Sequence, residues 1–481
     1  MVEPITMSLP QLIYHKETIF NALDKTLILN DTLSLQPTLE LLSQFVHDLG
    51  PDFIEFYPRS LEIIKQIALE QQDPQSLELI FNTLAYIFKY LTKILSADLI
   101  PTFNALLPLL TVKHKDYVTR FASEAISFLI RKAKLSTLQA FITDVFNSPS
   151  LMDDETSANY HLGLTIMFTE SLKSASGALH SKTGIILPAL AKSCLQKPKF
   201  TAVLTDVIMD LLDYTETKEN AQLLYTTLLT VLRKELANDD RVLDYRLLAN
   251  IVQVLLTLSF GESGRKANDW NDMLSFMQPL YDASLKSHKR DEDVDMEDEH
   301  EEFKLDFVNA MSSWCSTMLR NADMGALSKH HLTMIRVMSR LDEGSAFLLF
   351  VDAATGMNKE RTLQFMKNSV TSFITQNWRD NYKETAFFLA RMHDKELLSR
   401  GDSTDIGFNI IIPNDFKAFI LESFKNTEPI ENKNALINNY WRLIVLQHCT
   451  INFDPSLLID FLKLLQSCKL DSEFFIYAVY G

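Results

Sequence analysis

The chain contains very few of the residues that interrupt helices. Only 12 glycines occur in 481 residues, whereas glycine usually makes up about 7% of a soluble protein. No proline lies between Pro279 and Pro413. Strand-rich folds need turn residues every ~8–12 positions. This scarcity, together with frequent leucine, phenylalanine and alanine, therefore predicts a long succession of helices.

The length of the chain excludes a single compact core. A hydrophobic core stops growing at about 250–300 residues, and the chain has 481. The chain must therefore form several domains or an extended array of small units, and its uniform helical composition favours the array.

Apolar residues recur at helical spacing in the first hundred residues. The segment 38–49 ends at Gly50-Pro51, the usual order at a helix C-terminus. Asp73-Pro74 supplies an N-cap and a first-turn proline for a long amphipathic helix over 77–95. The apolar stripes of these two helices are Leu39, Leu42, Phe45, Val46 and Leu49, then Leu77, Phe81, Leu84, Phe88, Leu91 and Leu95.

The segment 106–134 has the pattern of a HEAT repeat. A first helix ends near Pro108, a polar turn follows, and Asp116 begins a second helix. Small residues on its apolar face let a neighbouring helix approach closely, whereas Arg120 and Arg131 share the opposite, solvated face. Ser136 with Gln139 forms a capping box for the next helix. The predicted fold is an all-α, HEAT/armadillo-like α-solenoid of stacked antiparallel helix pairs, with a period of ~40–47 residues. The apolar face contains Val118, Phe121, Ala122, Ala125 and Leu129.

The positions of helix-breaking and charged segments predict three regions. A HEAT-like solenoid covers 1–285, with breaks near 147–157, 194–199 and 261–268. The segment 286–302 loses apolar periodicity and contains nine acidic residues between 291 and 302, which predicts a disordered acidic loop. This loop either attracts a basic partner or serves as a solvated connection. Helical patterning continues over 303–481 and ends on an apolar segment, from which we expect truncation there, because solenoids need a polar capping repeat.

Composition and motifs argue against several functional classes. The formal net charge is −16, and −7 without the acidic run, so the whole chain is not a basic nucleic-acid binder.

The four cysteines are scattered without a CxxC pair, which favours a reducing compartment. The sequence has no signal-peptide pattern and no apolar run of ~18 residues. It contains no phosphate-binding loop, HExxH motif or metal-ligand spacing. We therefore expect a soluble, intracellular, non-enzymatic protein without cofactor, metal or small-molecule substrate.

Basic residues flank the helix that begins at Asp116. Lysine and arginine on an accessible face suffice for phosphate contact, so this cluster is a candidate for contact with RNA or an acidic protein. The alternative is an ordinary solvated helix face, since Glu124 lies among the basic residues. The candidates are Lys113, Lys115, Arg120, Arg131, Lys132 and Lys134.

Three aromatic residues close together, Tyr86, Phe88 and Tyr90, suggest a stacking platform for nucleic-acid bases. Phe88, however, belongs to the apolar stripe of the same helix. We therefore interpret this group as core packing.

Four long segments resemble the N-terminal region of the U3 small nucleolar RNA-associated HEAT-repeat family, also called down-regulated in metastasis. The similarity is good over about 9–170, and beyond about 210 the family assignment rests on continuity. Family members are several times longer and extend further at the N-terminus, so we expect a fragment. The segments are HDLGPDFIEFYPRSLEIIKQIA (47–68), LELIFNTLAYIFKYLTKIL (77–95), KHKDYVTRFASEAISFLIRKAK (113–134) and NYHLGLTIMFTESL (159–172), and LPQLIYHKETIFNALDK (9–25) is similar to the same region.

The resemblance implies a nucleolar scaffold of the small-subunit processome that takes part in pre-rRNA processing and 18S rRNA maturation. Its implied partners are pre-rRNA and the proteins of the U3 particle and the processome, without a membrane. The family has no catalytic motif, so no active-site residue is carried over. Two alternatives stay open. A karyopherin-like transport receptor is also an acidic HEAT solenoid, and a helical regulatory arm of a larger enzyme would have the same patterning.

Overall fold

The computed structural model describes residues 9–71, 73–112, 115–147, 154–238, 243–291 and 297–323, with a few positions up to 337. Over these residues the regular structure is helical, apart from one isolated bridge between Lys173 and Leu179. No helix in this part of the chain is both long and apolar enough to cross a membrane.

Helices follow one another along the described residues with short connections. Short 3-10 turns lie at Gly50–Glu55, Ala175–Gly177 and Pro198–Phe200. The helices are α1 (Leu9–Ile28), α2 (Thr32–Leu49), α3 (Tyr57–Glu70), α4 (Pro74–Tyr90), α5 (Thr92–Leu95), α6 (Leu99–Leu110), α7 (Asp116–Lys132), α8 (Leu135–Val145), α9 (Asp154–Leu172), α10 (Thr183–Gln196), α11 (Thr201–Tyr214), α12 (Lys218–Leu236), α13 (Tyr245–Ser259), α14 (Glu262–Ala267), α15 (Trp270–Leu274), α16 (Met277–Asp291) and α17 (Glu297–Asn321).

The described residues belong to two compact units. The first contains those up to Arg241 together with Gln253–Asn268, and the second contains those of Val242–Val252 and from Asp269 onward. Helix α13 contributes residues to both. In the second unit, Tyr245 packs against Phe307 with ring centroids 5.8 Å apart, and the Arg246 guanidinium lies 3.5 Å from the centroid of the Phe303 ring.

The first unit consists of two layers of helices. In one layer α2, α4, α7, α9 and α11 pack in succession, and in the other α1, α3, α6, α8, α10 and α12 do the same. The layers are joined by contacts within consecutive pairs, such as α1 with α2, α3 with α4 and α6 with α7. Most of these helices thus contact both a partner and a counterpart in the next pair, which is how a solenoid buries a continuous core. The predicted all-α solenoid fold is confirmed.

The predicted apolar stripes form this core. The five stripe residues of 38–49 are at most 5% exposed, and so are those of 77–95. On α7, Val118, Ala122 and Leu129 are fully buried, and half-buried Phe121 stacks on Phe81 of α4 with ring centroids 5.7 Å apart. Periodicity therefore located the faces of these helices correctly.

Helices α7 and α9 approach each other closely at a glycine. An added Cβ at Gly163 would lie 3.1 Å from Thr119 Cγ2, 3.2 Å from Ser123 Oγ and 3.3 Å from Leu110 Cδ2. The small residues Ala122 and Ala125 had suggested a close neighbour for α7. At Gly163 the neighbours on α7 are Thr119 and Ser123, while Ala122 and Ala125 are buried on the same helix.

Two of the predicted helix ends form as expected. The Asp73 carboxylate accepts a hydrogen bond from the Ser76 backbone amide at 2.8 Å, and α4 begins at Pro74. Gly50 ends α2 with a φ of 51°, a conformation that glycine adopts without steric cost.

Other predicted boundaries differ from the structure. The long helix over 77–95 is interrupted at Leu91, so that α4 and α5 are separate. The capping box at Ser136 is wrong, because α8 begins at Leu135 without a side-chain cap. The break at 261–268 contains the short helix α14 after Gly261, whose φ is 81°.

The predicted disordered loop over 286–302 is helical at both ends. Helix α16 continues to Asp291 and α17 begins at Glu297, while 292–296 lie outside the described residues. The prediction equated missing apolar periodicity with a loop, but glutamate, lysine and arginine have high intrinsic helix propensity. Of the predicted region 303–481, positions 338–481 also lie outside the described residues.

Candidate nucleic-acid interface

The six basic residues predicted for partner contact do not form one surface. Lys113 lies outside the described residues, and the other five lie on α7 or directly beside its ends. Some of their side chains bond to neighbouring helices and have a structural role, whereas others are exposed.

Lys115 binds the end of a neighbouring helix. Its Nζ donates hydrogen bonds to the backbone carbonyls of Leu69 at 2.7 Å and Gln71 at 3.1 Å. Leu69 lies in the last turn of α3 and Gln71 directly follows that helix, where the helix itself provides no donor for the carbonyls. Lys115 therefore holds α7 against α3, and its ammonium is engaged in this structural contact.

Arg131 is not on a freely solvated face, contrary to the prediction. Its Nε donates to the Glu170 carbonyl at 3.0 Å, a second guanidinium nitrogen bonds to the same oxygen, and its side chain is only 24% exposed. The prediction placed Arg131 on the same side of α7 as Arg120 from the helical angle between them. That angle carries no information about α9, which packs against this part of α7. Arg131 thus joins the two helices.

Arg120 is exposed but shares its surroundings with carboxylates. Burial raises the pKa of the nearby Glu124 carboxyl, and the charge of Glu170 raises it further. The positive charges of Arg120 and Lys173 act in the opposite direction on the same pKa. The surface around Arg120 is therefore of mixed charge. This agrees with the alternative interpretation of the basic residues as an ordinary solvated helix face.

Lys132 and Lys134 are exposed and belong to a different cationic cluster. Lys182 donates a hydrogen bond from Nζ to the carbonyl of Ala133, the residue between Lys132 and Lys134 in the sequence, and the charge of Lys132 acts on its ammonium. His180 lies in the same neighbourhood, since the charges of Arg131, Lys182 and Lys132 all act on its imidazole. We call Lys132, Lys134, His180 and Lys182 the basic junction.

The electrostatics of the basic junction show an excess of positive charge. The pKa of Lys182 is lowered by burial first and by the charge of Lys132 second. The pKa of His180 is lowered by burial and then by the three neighbouring cations. A bound anion would relieve this repulsion, so the basic junction is suited to contact with phosphate groups.

A short loop brings the second half of the basic junction into place. Its backbone closes through Ser174 N bonded to Ala178 O at 2.9 Å and His180 N bonded to Leu172 O at 2.7 Å. Ser176 and Gly177 take positive φ values of 62° and 68° to make this turn. Sequence analysis missed His180 and Lys182, although the spacing of about one repeat from 132–134 was an available signal.

Metal-ligand clusters and cysteine thiols are two kinds of reactive group that can support catalysis. No group of three or more histidine, cysteine or carboxylate side chains in this part of the chain is placed to hold a metal ion. The two described cysteines, Cys194 and Cys315, are fully buried, and burial raises the pKa of both thiols. A buried, protonated thiol is a poor nucleophile.

Two curated relatives match most of the chain. The protein "U3 small nucleolar RNA-associated protein 20" of Saccharomyces cerevisiae is 32% identical over 454 residues, which cover 93% of this chain and 17% of that protein. The protein of the same name from Schizosaccharomyces pombe is 26% identical over 413 residues, which cover 85% of this chain and 15% of that protein. The chain spans about a sixth of the length of these relatives. The resemblance inferred from the sequence is confirmed.

No protein-family model matches the chain. Among solved structures, "Circular tandem repeat protein with novel repeat topology and enhanced subunit contact surfaces" aligns with 95% of this chain and 98% of its own. The identity is 11% and the TM-score is 0.24, so this likeness carries no argument. The fold assignment rests on the helix packing described above.

Proposed function

Since the chain belongs by homology to the family of U3 small nucleolar RNA-associated protein 20, we propose that it is a non-catalytic scaffold segment in ribosome biogenesis. It acts in the small-subunit processome of the nucleolus, in pre-rRNA processing and 18S rRNA maturation. It binds pre-rRNA and assembly factors through the exposed surfaces of its helix pairs. The observation that carries this proposal is the 32% identity over 93% of the chain.

The geometry supports a binding role in two ways. Stacked helix pairs leave long outer faces free for partners, over which affinity is distributed among many modest contacts. In the basic junction, Lys132 and Lys134 are exposed at the end of α7, where Lys182 bonds to the intervening Ala133 carbonyl. Phosphate contacts of this kind position RNA without reading its sequence.

The test is ultraviolet crosslinking of the tagged chain in its own cells, followed by sequencing of the attached RNA and identification of co-purified proteins. We expect pre-18S rRNA, U3 RNA and processome proteins. The double variant Lys132→Glu/Lys134→Glu should recover less RNA. In vitro, the salt dependence of its binding to single-stranded RNA should become shallower by roughly 1.4 in slope, because two phosphate contacts are lost.

The matched control is Lys25→Glu/Lys234→Glu, which changes net charge equally at exposed positions on α1 and α12. It should bind RNA as the unchanged chain does. Equal losses for both double variants would show that only overall charge matters, and the basic junction would be excluded. Recovery of import cargo and a small GTPase without pre-rRNA would instead favour the transport receptor.

A further inference from the structure

An exposed aromatic cluster lies on the layer of helices that contains α2 and α4. Tyr86 and Tyr90, one helical turn apart on α4, stack with ring centroids 6.2 Å apart and planes inclined by 14°. His47 of α2 places its ring edge-on to Tyr90, with centroids 4.9 Å apart and planes at 74°. With Lys89, these residues form what we call the stacked patch.

The stacked patch is outside the core, contrary to the interpretation from sequence. Tyr86 is 45% exposed, whereas Phe88 between the two tyrosines is fully buried. The core interpretation is therefore confirmed for Phe88 and wrong for Tyr86. Tyr90 is half-buried, so the exposed ring is that of Tyr86, and part of its surface lies in water, where a further flat aromatic group can continue the stack.

A cation accompanies the rings. Lys89 Nζ lies over the rings of both Tyr86 and Tyr90, 5.7 Å from each centroid, so a base that stacks on Tyr86 would share this ring surface with a mobile lysine side chain. Among the described residues no carboxylate lies within ion-pair distance of this ammonium, and Lys93 adds an exposed charge one turn later.

The carboxylate of Asp48, next to His47 in the sequence, is hydrogen-bonded to neighbours on the same helix. Asp48 Oδ1 lies 2.8 Å from His47 Nδ1 and accepts a hydrogen bond from Gln44 Nε2 at 2.7 Å. Asp48 keeps its negative charge beside His47, because Gln44 is neutral, so the positive charge of the stacked patch is that of Lys89 over the two tyrosine rings.

We propose that the stacked patch binds an unpaired base of single-stranded RNA, which stacks on Tyr86 while Lys89 contacts an adjacent phosphate. This inference rests on the proposed association of the chain with RNA and names a site for it. Every base has a flat π face and a neighbouring negative phosphate, and the patch presents the complement of both. Base–aromatic stacking is tolerant of sequence and contributes substantially to single-strand binding.

A nucleic acid fits this site better than a protein segment does. A protein partner recognised by aromatic residues usually buries an apolar anchor in a pocket, whereas here the rings form a flat stack with a cation over their faces. The tyrosine and lysine side chains also offer polar groups to a hydrated, charged ligand. Duplex RNA does not fit, because its bases are stacked on each other and present no free face.

The experiment measures binding of the full chain to a single-stranded oligoribonucleotide that contains a fluorescent 2-aminopurine. Tyr86→Ala should weaken binding by roughly 5- to 150-fold, the range for loss of one stacked base. It should also abolish the fluorescence quenching that stacking causes. Tyr86→Phe keeps the ring and should retain both. An RNA duplex should bind equally to all three proteins.

The control is Tyr14→Ala, which removes a tyrosine that is 84% exposed but lies outside the stacked patch. It should leave affinity and quenching unchanged, and circular dichroism should show equal helicity for every variant. If Tyr86→Ala binds RNA as the unchanged chain does while Lys132→Glu/Lys134→Glu weakens binding, the stacked patch is not a base platform and the proposed function stands.

If the unchanged chain binds no RNA, both proposals fail together. If Tyr86→Ala loses a co-purified protein but no RNA affinity, the stacked patch contacts a protein, and the base-stacking proposal is overturned. Weakened binding without a change in quenching would also contradict stacking, because the ring would then act only through the local fold.

Discussion

At the residue scale, Gly163 sets how closely α7 and α9 pack. The substitution Gly163→Ala adds a methyl group between three neighbours that lie at 3.1–3.3 Å. Overpacking of this kind costs about 1–3 kcal/mol, whereas alanine in place of glycine gains at most about 1 kcal/mol within a helix. We expect a net loss of about 1 kcal/mol in the free energy of unfolding, measured by chemical denaturation of the full chain.

The matched substitution at this scale is Gly184→Ala on α10. No atom lies within 4 Å of the added Cβ there, so only the gain in helix propensity acts, at up to about 1 kcal/mol. The two variants should shift stability in opposite directions. If both stabilise the chain, the packing between α7 and α9 adjusts to a methyl group, and the close contact at Gly163 does not limit it.

At the element scale, the start of α4 depends on the ionised Asp73 side chain. Hydrogen bonds from the Ser76 hydroxyl and backbone amide lower the pKa of this carboxyl below its usual range. A lowered folded-state pKa means that the contribution to stability is present above the ordinary aspartate pKa and is lost as pH falls through the folded-state value. Asp73→Ala should therefore destabilise the chain at neutral pH, and this difference should disappear in acid, as thermal unfolding at several pH values would show.

Two further substitutions isolate the cap. Asp73→Asn caps equally well without titrating, so it should preserve neutral stability and remove this part of the pH dependence. Ser136→Ala should have almost no effect, because α8 has no side-chain cap. If Ser136→Ala lowered stability as much as Asp73→Ala does, Ser136 would have to cap α8, contrary to the structure.

The comparison of Asp73 with Ser136 shows where sequence patterns suffice at this scale. Periodicity and the Gly-Pro and Asp-Pro signals act within a few residues, and they located α2 and the start of α4 correctly. Ser136 had the right neighbours for a cap, but the helix begins one residue earlier, at Leu135. Boundaries depend on small free-energy differences that the neighbouring helices decide, and a local pattern does not contain those neighbours.

The candidate interface was less predictable for the same reason. Sequence identified the basic residues around α7, including the exposed Lys132 and Lys134. It did not show that Lys115 and Arg131 are engaged by α3 and α9, since their partners are 39 to 46 residues away. A side chain's charge can be read from sequence, but whether that charge is free depends on the packing of the next repeat.

At the scale of the whole molecule, the first unit shows a recurrent bond between successive repeats. Side chains from one repeat donate to backbone carbonyls at or near helix ends in the preceding repeat, 43 to 51 residues earlier. Such carbonyls have no partner within their own helix. The spacing follows the repeat period of ~40–47 residues, so the bonds recur because the fold does. The donors are Lys115, Asn159, Lys182, Lys197, Asn220 and Ser263.

These bonds should couple neighbouring repeats, and Lys182 tests this. Lys182→Met keeps the apolar stem but removes the donor to Ala133, a residue that is fully buried. An unsatisfied buried carbonyl costs about 1–3 kcal/mol. Because the stability of a repeat array is a sum of repeat and interface contributions, weakening one interface should lower stability and make unfolding less cooperative.

Hydrogen exchange distinguishes a lost interface from general destabilisation. Lys182→Met should lose protection first at the C-terminal end of α7 and the start of α10, on both sides of the removed bond. Lys192→Met, an exposed change on the same helix α10, should leave the exchange pattern unchanged. Uniform loss of protection across the helices of the first unit would mean that this unit unfolds cooperatively as a whole. The carbonyl bonds would then stabilise the fold without setting the boundaries between its repeats.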